Sequence, residues 1–137
     1  MGTRRRGREL ALQLLYQHEL TNAQPEDMET HFEEWKGAPP AVQEFADQLL
    51  RGTLANRQAI DDELDRQTAH WRLERLAAVD RNILRLAFYE LLFNPTTPHA
   101  VVIDEAIEIA KKYGAEDSAR FVNGVLDGFV RRRATTP

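Results

Sequence analysis

The stretch from Trp71 to Phe93, WRLERLAAVDRNILRLAFYELLF, places the tightest constraint on the fold. Wound at about 100° per residue, it puts Leu73, Leu76, Ile83, Leu84, Ala87 and Leu91 on one face, and Val79, Leu86 and Phe93 widen that face. Arg75, Arg81, Arg85 and Tyr89 hold the opposite arc. Neither Gly nor Pro interrupts the segment, so the pattern predicts a single helix of about six turns. An apolar arc this wide belongs to a helix with several neighbours, at the centre of a bundle. Asp80 breaks the pattern, one turn from Leu76 and from Leu84. A carboxylate there must be paired inside the protein or meet a partner molecule.

Helical spacing continues on both sides. A first helix is predicted from Thr3 or Arg4 to about Leu20, with Leu10, Ala11, Leu14, Leu15 and His18 as its core stripe. Arg5, Arg8, Leu12 and Tyr16 recur every three or four residues on another face. Pro25 suits a helix start. Met28, Phe32 and Trp35 then line one short acidic helix, which Gly37 to Pro40 ends. Val42, Phe45, Ala46, Leu49 and Thr53 face inward on a helix from about Ala41 to Ala55, and Ile60 and Leu64 on the next. Beyond the break at Asn94 to Pro98, a helix from His99 to Tyr113 buries Val102, Ile103, Ala106, Ile107 and Ala110, and Gly114 caps it. The last helix, Glu116 to Arg132, buries Val122, Val125, Leu126 and Phe129. Its Gly124 and Gly128 leave room for another helix to come close. No strand candidate survives, so the expectation is an all-α chain of about seven helices. Residues 1–137 read as one domain with enough chain for a real core, or as two small halves.

Charge is segregated along the chain. Arg4, Arg5, Arg6 and Arg8 open it and Arg131, Arg132 and Arg133 nearly close it. Between Glu19 and His70 twelve acidic residues face four basic ones, so a net charge of -4 still allows a basic, phosphate-seeking surface. Four arginines at a helix N-terminus oppose the helix dipole. Two readings stand for them: a solvated end, or a phosphate-binding edge beside an aromatic. Asp61, Asp62, Glu63 and Asp65 lack the glycine turn of a calcium loop and read as a solvated face. The four histidines have no metal-ligand spacing, no glycine loop cradles phosphate, and the single serine, Ser118, sits where a helix cap belongs. Catalytic residues, metal and cofactor are therefore all expected to be none. The absence of cysteine, of a signal-type apolar core and of a membrane-length apolar run fits a cytoplasmic protein.

Four strings, in order, carry a resemblance. They are Arg4-Arg5-Arg6-x-Arg8-Glu9 leading into Ala11-Leu12-Gln13-x-Leu15-Tyr16; Asp80-Arg81-Asn82-Ile83-Leu84-Arg85-Leu86-Ala87-x-Tyr89-Glu90-Leu91; Val102-Ile103-Asp104-Glu105-Ala106 through Ala110-Lys111-Lys112-Tyr113-Gly114; and Phe121-Val122-Asn123-Gly124-Val125-Leu126-Asp127. Over essentially its whole length the chain resembles the bacterial NusB family of transcription antitermination proteins. The resemblance implies two packed helical subdomains and no catalysis. It implies pairing with NusE, a protein that doubles as a small-subunit ribosomal component. It also implies binding of single-stranded boxA RNA in ribosomal RNA leader transcripts, within an antitermination complex on RNA polymerase. By the family pattern the RNA surface falls on Arg4, Arg5, Arg6, Arg8, Asp117, Arg120, Phe121 and Asn123, and the NusE surface on Tyr16 and Asp80. Many relatives carry glutamate where this chain has Asp80.

Alternatives remain for three of these residues. Phe121 is a stacking face for a base or a partly buried wedge; Asp117 touches RNA or caps a helix; Asp80 meets NusE or an internal arginine. Two rival functions stand beside the adaptor. One is a detached NusB-like domain of a ribosomal RNA methyltransferase, since the chain ends at Pro137 with no room for a cofactor domain. The other is a protein-only module or homodimer, as some NusB relatives self-associate.

Overall fold

Helix follows helix, as the apolar spacing predicts. The computed structural model describes residues 2–68 and 73–135, and among these it contains eight α-helices, one 3₁₀ turn and no strand. The chain divides into two compact units, Met1–Ala55 and Asn56–Pro137.

The first unit holds α1 (Thr3–Thr21), α2 (Pro25–His31), α3 (Glu33–Lys36) and α4 (Pro40–Ala55). α1 lies along α4 and also touches α2. Leu10, Ala11, Leu14 and Leu15 are buried as expected, but so is Leu12, which the spacing put on a second face. α1 ends at Asn22, whose φ of 59° is tolerated by this residue type, with its N–H donating to the His18 carbonyl at 2.7 Å. His18 is half-buried, and its Nδ1 donates to the Ala23 carbonyl at 2.8 Å.

The expected single acidic helix is two. Phe32 is extended (φ -100°, ψ 109°), closing α2 and opening α3. The bent path lays Phe32 and Trp35 against a cluster of Leu10, Ala38, Val42 and Ala46. Apolar contact with α4 thus outweighs continuation of a seven-residue helix, which is marginal alone. Arg51 ties α2 to α4: its Nε donates to Asp47 at 2.8 Å and its Nη2 to Glu26 at 3.1 Å, with Glu29 at 3.9 Å. Glu29 Oε2 is buried with no hydrogen-bond partner among the described residues. Burial first, and then the adjacent Asp47 carboxylate, push the Glu29 carboxyl up to about 8 against the pull of Arg51.

The second unit holds α5 (Arg57–Gln67), a 3₁₀ turn (Leu73–Arg75), α6 (Ala78–Phe93), α7 (His99–Tyr113) and α8 (Ser118–Thr135). α6 is the central helix, packed against α5, α7 and α8. It is shorter than the sequence suggests; Trp71 lies outside the described residues, and Leu73 to Arg75 form a separate turn. No Gly or Pro makes that break. Instead the Arg81 guanidinium donates to the carbonyls of Leu73 (3.2 Å) and Leu76 (2.7 Å), satisfying backbone groups that a continuous helix would have paired.

α6 also has no solvent arc over most of its length. Every residue from Asn82 to Leu91 is buried, including Arg85 and Tyr89, which the spacing had placed outside. Arg85 is held by a fork on Asp61 of α5, Nε to Oδ1 at 2.9 Å and Nη2 to Oδ2 at 3.2 Å. Asp61 is therefore not part of a solvated acidic face. Nor is Glu63, which bridges Arg66 at 2.6 Å and Arg132 of α8 at 3.0 Å. Phe88 of α6 meets Phe129 of α8 with ring centroids 4.5 Å apart. On α7, Ile109 is buried beside Val102, Ala106 and Ala110, whereas Ile103 and Ile107 are only half-buried.

Glycine serves close approach in two places. A Cβ on Gly128 would lie 2.8 Å from Gln67 Nε2 of α5. Gly114 closes α7 in extended backbone rather than the left-handed region (φ -94°, ψ -175°), and a Cβ there would sit 2.5 Å from the Ser118 side chain. Ser118 needs that space, because its Oγ accepts the Ala115 N–H at 2.8 Å ahead of α8. At Gly124, by contrast, a Cβ would meet nothing within 4 Å, so no helix closes on it among the described residues. No described helix is long and apolar enough to cross a membrane, and no described group of three or more His, Cys, Asp or Glu is arranged to hold a metal ion.

Two stability measurements check this packing. Replacing Arg85 by Ala leaves Asp61 without its fork and opens a gap beside α6; urea unfolding is expected to show a loss of about 3 kcal/mol, and a loss under ~1 kcal/mol would contradict a structural role. The Glu29 carboxyl holds its proton more tightly in the folded chain than the ordinary value of 4.5 allows. The stability it contributes is thus present at low pH and lost as pH rises toward 8. Between pH ~5 and ~9 the parent chain should lose stability relative to Glu29→Gln by on the order of 1 kcal/mol, a few degrees in melting midpoint; parallel pH profiles would contradict this.

Candidate nucleic-acid interface

Each unit presents one stretch of the residues singled out for RNA and one of those singled out for NusE. In the first unit the basic stretch is the opening of α1. Nothing favourable to the dipole is present there: the first turn has no acidic residue, and Gly2 supplies no side-chain cap. Arg4 and Arg6 are exposed and Arg5 is half-buried. Arg8, expected on the surface with them, is only 4% exposed. One neighbour is Phe45 of α4. The Arg4 guanidinium lies 4.4 Å from the Phe45 ring centroid and that of Arg8 5.3 Å, within cation–π range of one ring. Gly7 lets the helix sit down on that ring, since a Cβ would approach Phe45 Cδ2 to 2.6 Å. Arginines at i and i+4 repel, and the shared ring offsets part of that cost. Arg4 and Arg6 are thus exposed and Arg5 partly so, while Arg8 is buried.

Further along α1, Tyr16 is 40% exposed, and Leu20, one turn on, is more exposed still. Two large apolar side chains on the same open face suit contact with another protein.

In the second unit the start of α8 carries the other candidates. Asp117 is exposed, and its carbonyl accepts the Phe121 N–H at 3.1 Å. Arg120 and Asn123 are exposed and Phe121 is half-buried. Asp117, Arg120, Phe121 and Gly124 follow helical i, i+3, i+4, i+7 spacing and so share one face, with Asn123 at its edge. Gly124 leaves that face flat and open. A half-sunk ring flanked by a cation, an amide and a patch of bare backbone can stack a base and hydrogen-bond its edge.

Asp80 is the third residue of α6, in the turn where the helix dipole favours an anion. Its Oδ1 is buried with no hydrogen-bond partner among the described residues. Arg85, further along the same helix, is committed to Asp61. Its neighbour Arg81 spends its Nη1 on the carbonyls of Leu73 and Leu76. A carboxylate oxygen of this kind is costly unless a donor arrives from outside.

Sequence reasoning took Phe45 for ordinary core and Gly124 for a packing contact, and it gave Gly7 and Leu20 no part in either surface. The spacing of Arg4 and Arg8 is a visible signal for a shared aromatic, but which aromatic depends on how α1 lies on α4.

Among curated proteins, the transcription antitermination protein NusB of Geobacter sulfurreducens is 47% identical over 128 residues, covering 93% of each chain. That of Desulfitobacterium hafniense (strain Y51) is 45% identical over 131 residues, covering 93% of this chain and 88% of its own length. Among solved structures, T. maritima NusB superposes with a TM-score of 0.82 at 45% identity, covering 93% of this chain and 90% of that one. A chain in the crystal structure of antitermination factors NusB and NusE in complex with double-stranded RNA superposes with a TM-score of 0.86 at 28% identity, covering 96% and 98%. The model of the NusB family matches residues 5–131, and with relatives this similar along almost its entire length the chain belongs to the NusB family.

Proposed function

We propose that this chain is a non-catalytic RNA-binding factor of transcription antitermination that works as a heterodimer with NusE. The observation that carries the reading is identity of about 45%, along nearly the whole chain, to proteins named for antitermination. A family fold by itself hosts many activities; here the residues that a binding role requires are also present, and Arg4, Arg6, Tyr16, Arg120 and Asn123 are exposed. Arg4, Arg5 and Arg6 neutralise phosphates while Arg8 supports them from beneath. Phe121 stacks a base, Arg120 reaches a phosphate or a base, and Asn123 reads a base edge. Asp117 faces the same ligand from the start of α8. The RNA is the single-stranded boxA element of ribosomal RNA leaders, because stacking and base-edge contacts need unpaired bases. Tyr16 and Asp80 meet NusE, which brings a donor to the unsatisfied Asp80 oxygen. The assembly acts in the cytoplasm on the RNA polymerase elongation complex.

Fluorescence anisotropy with a boxA-like single strand, a scrambled strand and a duplex, with and without NusE, tests this at several salt concentrations. Preference for the boxA strand that strengthens with NusE is expected; equal binding to all three would remove the sequence-reading role, and no RNA binding would return the chain to a protein-only module. The double variant Arg4→Ala, Arg6→Ala should lose on the order of tenfold in affinity and flatten the log K against log salt slope by about 1.4, two phosphates' worth. Asp80→Lys should weaken NusE binding while moving the melting midpoint by no more than ~3 °C. If that variant unfolds, Asp80 belongs to the interior.

A further inference from the structure

The opening of α1 is a concentration of like charge in an unfavourable place, yet it is a regular helix from Thr3 onward. Arg4 and Arg8 repel one another across one turn, the positive end of the helix disfavours Arg4, and the first turn holds no acid and no side-chain cap. What lies under them is Phe45, whose ring takes both guanidinium groups, at 4.4 and 5.3 Å. The same ring sets the depth at which α1 sits, because only a glycine at position 7 leaves room for it: a Cβ there would stand 2.6 Å from Phe45 Cδ2. An aliphatic residue would fill this place as core, since the ring is 6% exposed. It would offer no negative π-face to a cation.

We infer that Phe45 is a positioning residue for RNA: its ring holds the Arg4 side chain against α4 and thereby presents the basic edge to phosphate in one preset arrangement. The inference rests on the RNA-binding reading and extends it to a residue that does not itself touch RNA. Preset cations lose little side-chain freedom when the ligand arrives, which is where affinity is gained. Without the ring, Arg4 swings into solvent and the first turn frays.

The test compares the full chain with Phe45→Leu, which keeps apolar bulk and loses the π-face, and Phe45→Tyr, which keeps the face. In complex with NusE, Phe45→Leu should bind the boxA-like strand three- to tenfold more weakly, with a salt slope shallower by roughly 0.7. Its affinity for NusE should be unchanged, and amide exchange at Arg6, Gly7 and Arg8 should quicken. Phe45→Tyr should restore both RNA affinity and slope to within twofold of the parent. A folded Phe45→Leu with the parent's affinity and slope would overturn the inference, as would a Tyr variant that rescues nothing, or an RNA loss matched by an equal loss of NusE affinity. Should Phe45→Leu fail to fold, proton NMR of the parent decides: the Arg4 side-chain protons should be displaced upfield by the ring, and ordinary positions for them would overturn it. A parent chain with no RNA affinity at all sinks the functional reading and Phe45 with it, whereas an RNA-binding parent and an indifferent Leu variant sink Phe45 alone.

Discussion

The fork between Arg85 and Asp61 is the interaction on which the second unit depends. α6 is buried on every side from Asn82 to Leu91, so a guanidinium in that run cannot reach water. It is tolerated because α5 brings a carboxylate with both oxygens within hydrogen-bond distance. Asn82 adds a second acceptor for Arg85 at 3.4 Å and turns its own amide to the Ala78 carbonyl at 2.9 Å. Around this polar centre the Phe88–Phe129 contact and the Gln67–Gly128 approach bring α8 in against α6 and α5. Such a pair contributes less to net stability than apolar residues of the same volume would. It does specify which face of α5 meets α6, because a helix turned by one residue would leave Arg85 facing hydrocarbon.

Charge serves the opposite purpose at the open positions. The arginines of α1 are clustered where the helix dipole penalises them, and the Asp80 oxygen lies buried without a donor among the described residues. Both features cost stability in the free chain, and a ligand of the right sign would relieve each, phosphate in one case and a donor-bearing protein in the other. Local conflict with folding rules is the ordinary mark of a binding position. Within the first unit the contrast is plain: Arg51 is saturated by Glu26, Glu29 and Asp47 and is structural, while Arg6 stands exposed.

Much of the fold could be read directly because apolar spacing of three and four residues persists through most helices. The stripes of α4, α5 and α8 are buried as that spacing demands. The misreadings share one cause. Periodicity reports which residues prefer burial, not how many faces of a helix are covered. Arg85, Tyr89 and Leu12 looked like members of outer arcs, and they are inside because further helices cover those arcs. Phe32 and Leu73 to Leu76 looked like helix interior. Local breaks there follow from a tertiary apolar contact in one case and from the Arg81 side chain taking backbone carbonyls in the other.

The amino-acid sequence by itself determined the helical class, the two strong breaks at Gly37–Pro40 and Asn94–Pro98, the charge segregation and the family, because each depends on residue type and spacing along one strand of chain. Only the tertiary structure decided that Arg8 is buried, that Phe45 rather than another aromatic receives Arg4 and Arg8, that Asp61 is the partner of Arg85, and that one Asp80 oxygen has no hydrogen-bond partner among the described residues. Those facts depend on which helix covers which face. A 3.6-residue repeat cannot specify that choice, since every amphipathic helix in the chain offers the same kind of stripe.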